Sequence, residues 1–173
     1  NINQVSENSI AQENQIIIVS EILLEDICSQ CGITKYNVKA KLKGYELKGS
    51  IAKHPMADAG YDYPVPLLDA DYVTIEQGTG FVHIAPGHGP EDYQLAHLKH
   101  EIEVPDTVNE DGTLMEHLPI FSGFHVLRDN LKIAEIISEH KGLIGIGNLT
   151  HSYPHSWRSH APVIYRNTAQ WFI

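Results

Sequence analysis

The sequence is poor in the features that usually give a chain's chemistry away. It has only two cysteines, Cys28 and Cys31, spaced C-x-x-C. A zinc ribbon needs a second such pair, and a thioredoxin-like motif needs a strand that delivers its cysteines to a helix start. Here the pair falls at the end of a helical stretch, so it reads as an ordinary helix end. No apolar run approaches the roughly 18–20 residues that span a bilayer. The opening residues carry no basic-then-apolar leader pattern. A cytoplasmic protein with no membrane contact is the expectation. There is no G-x-x-x-x-G-K-[ST] loop, no G-x-S-x-G elbow and no G-x-G-x-x-G fingerprint, so nucleotide binding and serine hydrolysis have no anchor. Positive charge is also scarce: 12 Lys and Arg stand against 22 Asp and Glu, a net charge of −10. That balance argues against a general nucleic-acid coat. A local contact remains open, because six of the nine lysines lie between Lys35 and Lys53.

What is present is an ordinary globular composition over 173 residues, long enough for one domain with a real core. Residues 1–15 are polar and aperiodic and read as an arm or loop; 16–173 read as a single domain. Ile16–Val19 is a short buried strand, and Ser20 caps a helix to about Gln30 with Gly32 at its stop. Tyr36–Leu42 alternates, with Val38, Ala40 and Leu42 on one side and lysines on the other, as a half-buried strand does. Tyr45–Leu47 and Ser50–Ala52 look like further strands, His54–Ala70 like a loop, and Asp71–Glu76 like a strand. A helix runs from Pro90 to about His100. Glu103–Val108 is strand-like, Asn109–Gly112 a turn, and Val126–Lys141 a helix with an apolar stripe. Leu143–Leu149 and Pro162–Arg166 are strand-like. The sum is an α+β fold: a barrel-like, mostly antiparallel sheet core with two or three peripheral helices. The apolar close, Gln170-Trp171-Phe172-Ile173, suggests a piece of a larger protein.

The densest signal is Gly78-Thr79-Gly80-Phe81-Val82-His83-Ile84-Ala85-Pro86-Gly87-His88-Gly89-Pro90-Glu91-Asp92-Tyr93. It reads as strand, tight turn, then helix, with Pro90 at the first helical position and two acids in the first turn. His83, with His88 nearby in sequence, and the Asp92 carboxylate are thereby set around a glycine-lined hollow, and glycine lets a ligand approach the backbone. Each has a plain structural account too. A strand histidine is commonly just hydrogen-bonded, and acids in a first helical turn stabilise it by about 0.3–1 kcal/mol.

Rival readings are weaker. His83 and His88 are five apart and His151 and His155 four apart, in Pro-containing loops and without the acid of an H-E-x-x-H helix, so no metal is assigned. The lysines of 36–43 could hold phosphates or simply keep a sheet edge unpaired. Trp157-Arg158, followed by Tyr165-Arg166, offers aromatic and cationic groups for stacking and phosphate contact; Trp157, Arg158 and Arg166 are the candidate RNA contacts.

Taken whole, the central stretch resembles the editing (connective-peptide) domain of isoleucyl-tRNA synthetases, of the class I synthetase family. The segment His151-Ser152-Tyr153-Pro154-His155-Ser156-Trp157-Arg158, with Pro162–Arg166 and Gln170-Trp171-Phe172, is similar to the stretch where that insertion returns to the catalytic core. His54-Pro55-Met56 and Tyr61–Leu68 match as well. The resemblance implies hydrolysis of misactivated or mischarged valine, as valyl-adenylate or Val-tRNA(Ile), by water. It implies that Asp92 anchors the α-ammonium, that His83 lines the side-chain pocket and excludes isoleucine, and that Gly80, Ala85, Gly87 and His88 line the substrate. It implies the tRNA(Ile) acceptor end, the valine moiety and the rest of the synthetase as partners. It implies no cofactor in this domain, ATP and Mg being used by the full-length enzyme. The alternative is a tRNA acceptor-end binding insertion without hydrolytic activity of its own. One departure is plain: the family's editing site also uses a threonine-rich strand, and residues 1–15 contain no threonine.

Overall fold

The computed structural model describes residues 1–148, 150–169 and 171. The chain divides into two units, Asn1–His83 with Lys132–Gly147, and Ile84–Leu131 with Asn148–Ile173.

In the first unit, β1 (Ile2–Val5) pairs antiparallel with β2 (Ile33–Tyr36), in register Ile2↔Tyr36 and Val5↔Ile33 with an irregularity between. Helix α1 (Leu24–Gln30) precedes β2 and is capped at Cys31, just before Gly32, whose φ of +66° suits glycine. Ile2, Ala11, Cys28 and Ile33 form the core, with Val5, Ile17, Leu24, Cys31, Tyr36 and Ile144 packed on it. Both cysteines are free, and burial pushes both thiols above their ordinary pKa. A second antiparallel pair joins β3 (Ile51–Lys53) to β4 (Pro64–Pro66), in register Ile51↔Pro66 and Lys53↔Pro64. A Pro-Val-Pro strand suits such an edge, since proline gives no ladder donor.

In the second unit, α2 (Pro90–Tyr93) runs into a wider π-helical segment, Gln94–Lys99, that buries Leu95 and Ala96. Helix α3 (Asn130–Glu139) starts in this unit and continues into the first. A tight reversal at Asn109–Gly112 brings Val108 opposite Leu114; Gly112 there has φ +83°, and Thr113 donates through both its N–H and its hydroxyl to Asp111 Oδ1. Those bonds hold the Asp111 carboxyl below the usual carboxylate range.

The structure bears out a mixed helix-and-sheet chain with antiparallel pairing and, among the described residues, three α-helices. It corrects the barrel-like core: among the described residues the sheets are two separate two-stranded ladders and no closed barrel forms. Residues 1–15 hold a core strand where an arm was expected, because Ile2 is 1% exposed and packs in the core with Ala11, Cys28 and Ile33. Ile16–Val19, Asp71–Glu76 and Phe81–Ala85 are not strands, and Tyr45–Leu47 lies in a 3-10 turn. Only Tyr36 of the alternating run is in a strand, and Val38 and Leu42 of its apolar face are exposed. Alternation says which residues share a face, but a strand also needs a partner ladder, and these segments find none among the described residues. Both helices beside the expected boundaries begin about four residues late: Ser20 and Val126 give way to Leu24 and Asn130. Ser20 is drawn elsewhere, its N–H to Thr79 O at 2.7 Å and its Oγ–H to Ile75 O at 2.7 Å. Of Leu143–Leu149, the residues up to 148 form no strand; Leu149, Gln170, Phe172 and Ile173 lie outside the described residues.

Ile2→Ala removes a side chain that the core encloses, so it should lower unfolding free energy by about 2–5 kcal/mol, read as a fall in urea midpoint at unchanged slope. A frayed arm at residues 1–15 would show no change.

Candidate functional site

The approach to the central stretch is built by glycines. Gly78 and Gly80 take φ of +61° and +83°, a region that strains side-chain-bearing residues. A Cβ on Gly80 would also stand 2.8 Å from Ser20 Cβ. Gly80 therefore sits where Ser20 clips the turn 75–79, and that packing by itself accounts for the glycine. Thr79 Oγ1 accepts the Phe81 N–H at 3.3 Å and fixes the exit from the turn.

His83 ends the first unit and is exposed. It lies close enough to His54 for its charge to depress the His54 pKa, behind burial as the larger cause. His54 is half-buried and packs on two tyrosines, stacked on Tyr61 at 5.2 Å and tilted on Tyr63 at 5.0 Å between ring centres. Its Nδ1 accepts the Met56 N–H at 3.1 Å, so the neutral ring carries its proton on Nε2.

In the second unit the turn after Ala85 is closed from two sides. Asp92 Oδ2 accepts the Ala85 N–H at 2.9 Å, and the His88 N–H returns to Ala85 O at 2.9 Å. Pro90 begins α2 and places Glu91 and Asp92 in its first turn, where the helix N-terminus suits acidic side chains. His88 ties the turn outward. Its Nδ1 lies 2.7 Å from Tyr165 O, and its Nε2 3.2 Å from Thr107 Oγ1. A carbonyl can only accept, so Nδ1 donates, and the neutral ring receives the Thr107 hydroxyl at Nε2. The space a Cβ would fill at Gly87 faces Val104, Asn167 and Pro105 O at 3.5–3.9 Å, ordinary contact distances. Asn167 Nδ2 donates to Asp106 Oδ1 at 3.0 Å. Ala85, Gly87, His88 and Asp92 thus form one small, hydrogen-bonded turn pinned to segments 104–107 and 165–167.

The C-terminal residues form a short hairpin. His155 bridges Pro162, Ser156 N–H reaches Ala161 O at 2.9 Å, and Tyr153 Oη–H reaches Val163 O at 2.9 Å. Trp157 and Arg158 stand at its tip. The indole is 78% exposed, with the Arg158 guanidinium 4.7 Å from the ring centre, a cation–π pair that presents a flat, positively charged face to solvent. Arg166 reaches Glu110 at 3.6 Å, so part of its charge is answered within the protein.

Several of these partners carry no mark in the sequence. Thr107 and Ser20 are anonymous hydroxyls. His54, Tyr61 and Tyr63 stand out only through the His-Pro and Tyr-Asp-Tyr-Pro motifs, which do not reveal that they stack. Among the described residues no group of three or more His, Cys, Asp or Glu side chains gathers as a metal site, and no helix is long and apolar enough to cross a membrane.

Burial and the charge of His83 both favour neutral His54. In a proton NMR titration, the His54 midpoint should fall below the ordinary value of about 6.5, and His83→Ala should move it upward. An ordinary midpoint, or one indifferent to His83, contradicts this arrangement.

No protein-family model matches the chain. Whole-sequence comparison does find relatives. The chain is 47% identical over 161 residues to the isoleucine–tRNA ligase of Pelagibacter ubique, covering 93% of this chain and 18% of that protein. It is 37% identical over 183 residues to the isoleucine–tRNA ligase of Gluconobacter oxydans, covering 99% of this chain and 19% of that protein. For the isoleucine–tRNA ligase of Caulobacter vibrioides the figures are 39% over 176 residues, 94% and 18%. The chain therefore spans about a fifth of the length of the curated relatives it matches. Over nearly all of its own length, it is a homologue of one segment of the isoleucine–tRNA ligases.

Proposed function

We propose that this segment is the editing module of an isoleucine–tRNA ligase and hydrolyses valine from Val-tRNA(Ile) or valyl-adenylate. The observation that carries the reading is the Ala85–Asp92 turn, a glycine-lined backbone cradle closed by a carboxylate, within a sequence homologous to enzymes named for isoleucine and tRNA. A hydrophobic pocket gains only about 1–3 kcal/mol from one methylene, a limit for which isoleucine against valine is itself the standard example. A ligase for isoleucine thus needs a second, hydrolytic site.

In this reading Asp92 pairs with the α-ammonium of the valyl group. An ionised carboxylate has about four lone-pair sites, so holding the Ala85 amide is compatible with an ion pair. Pairing at the helix start orients the ester, and the backbone of Ala85, Gly87 and His88 bounds the amino acid. Water attacks the ester carbonyl carbon, the bond to the ribose oxygen of the terminal adenosine breaks, and that oxygen leaves with a proton. Gly80 borders the substrate, and His83 has the discriminating role, taking up the room that the extra methylene of isoleucine would need. No cofactor enters this step; ATP and Mg²⁺ serve the synthetic reaction of the full-length, cytoplasmic ligase. The partners are the acceptor end of tRNA(Ile) and the rest of the ligase chain.

One observation favours a second reading, a tRNA acceptor-end binding insertion without hydrolysis: the exposed Trp157–Arg158 pair is built like a stacking platform for a single-stranded base, with Arg166, paired with Glu110, further along the chain.

In a full-length ligase carrying this sequence, Asp92→Ala should reduce kcat/KM for Val-tRNA(Ile) deacylation about 10- to 100-fold, the weight of a charged hydrogen bond. Equal rates would remove Asp92 from the reaction and favour the binding-only reading. His83→Ala should raise attack on Ile-tRNA(Ile) by about 10-fold or more, measured by release of labelled isoleucine; unchanged discrimination would remove the sieve role.

A further inference from the structure

A hollow in the first unit belongs to none of the roles above. It has a volume of about 270 Å³ and is lined by Lys53, His54, Pro55, Ala57, Asp58 and His140. We propose that it is a binding site for a phosphate-bearing anion, held by Lys53, His54 and His140 with Asp58 as the group that orients His140. It goes beyond the editing reading and uses no residue assigned to the valine ester.

The walls are fixed by local structure. Lys53 is the last residue of β3, opposite Pro64 of β4. The chain then bends at His54–Pro55 into a one-turn 3-10 helix, Ala57–Ala59, which stops at Gly60 with φ +102°. Buried Met56 anchors that bend from below, and its N–H occupies His54 Nδ1. From the other side comes the end of α3. The His140 N–H bonds to Ile136 O at 3.2 Å, and the Gly142 N–H to Ile137 O at 2.9 Å. A Cβ on Gly142 would lie 3.1 Å from Pro55 Cβ, so this glycine lets the chain after α3 pass closely over the bend. The hollow is therefore framed by a strand end, a helix end and a proline-stiffened turn.

Its polar groups are mainly donors. His140 Nδ1 lies 2.9 Å from Asp58 Oδ2 and donates to it, since an ionised carboxylate only accepts. That bond is the main reason the Asp58 carboxyl is held below the usual carboxylate range, with the charges of His140 and Lys53 adding to it. Asp58 is thus engaged with a wall residue. The donors the lining can offer are the Lys53 ammonium, whose charge also acts on Asp58, the Nε2–H of neutral His54, and Nε2 of His140, which donates when the ring is protonated. A cation is a poor occupant for such a set, and among the described residues no metal-ligating group of three gathers. Phosphate offers acceptor oxygens in several directions and matches donors that arrive from three separate elements. The volume falls just below the range of about 300–1,000 Å³ typical of drug-sized ligands, as a phosphate with a small substituent requires.

The test is a titration of the chain with inorganic phosphate at pH 7 and constant ionic strength, following the imidazole resonances of His54 and His140 by NMR. Saturable shifts at both rings are expected. Lys53→Met with His140→Gln should weaken binding at least tenfold, while Lys48→Met, whose lysine pairs with Asp69 outside the hollow, should leave it unchanged. Lys53 is exposed at a strand end, so Lys53→Met alone carries the result if the double variant loses its native amide spectrum. A nucleoside 5′-monophosphate that binds more tightly than phosphate assigns the anion to a nucleotide; equal affinity assigns free phosphate. Non-saturating shifts, equal binding of acetate, or equal loss in Lys48→Met would overturn the proposal.

Discussion

The bond from the Ala85 amide to the Asp92 carboxylate is the constraint on which the central turn depends. It converts four residues rich in glycine and proline, which by themselves would sample many conformations, into a closed loop. The closure is cheap, because Asp92 is already where helix α2 favours negative charge and Pro90 has already set the helix direction. Once the loop is closed, His88 is carried to Tyr165 O and Thr107, and the turn becomes part of a wider hydrogen-bonded frame. A carboxylate held in this way is both a structural clasp and a fixed negative charge beside exposed backbone. In the proposed reaction Asp92 would carry structural duty and ligand recognition together, so truncating it would disturb both. This is why its effect on the reaction has to be compared with an effect on discrimination that comes from a different residue, His83.

Local chemistry was the legible part of the sequence. Pro90 as helix start, the acids of its first turn, Gly32 as the stop of α1 and the Asn109–Gly112 reversal are each decided by one or two residues and their immediate neighbours, and the structure has all four. Ladders were not legible. Ile16–Val19 and Tyr36–Leu42 carry the alternation of strands, and Ile17 does pack on the core while Ile16 and Ile18 are exposed. Yet alternation contains no information about a partner. The same gap hid β1, because its neighbours Asn3 and Gln4 mask a single decisive apolar residue, Ile2. At the site, residue types pointed correctly to the turn, but the tethers at Thr107 and Tyr165 lie roughly 20 and 75 residues away along the chain, where nothing local announces them.

The homology and the geometry contribute at different levels. Over almost the whole chain, the sequence is similar to one segment, about a fifth of the length, of the isoleucine–tRNA ligases it matches. The similarity does not by itself say which of that enzyme's tasks the segment performs. The geometry supplies a carboxylate-closed backbone cradle, a histidine beside a half-buried, proton-poor neighbour, and a solvent-facing Trp–Arg pair. The proposed editing reading draws on the turn and on His83, while the Trp–Arg pair serves RNA contact in either of the two readings.

The measurement that bears most directly on that account is binding of a non-hydrolysable valyl-adenosine amide to the isotopically labelled chain, followed through backbone amide resonances. The account predicts saturable shifts at Ala85, Gly87 and His88 that vanish when the analogue lacks its α-amino group, because the ammonium is what Asp92 holds. Equal shifts with and without the amino group, or none in this turn, would contradict it.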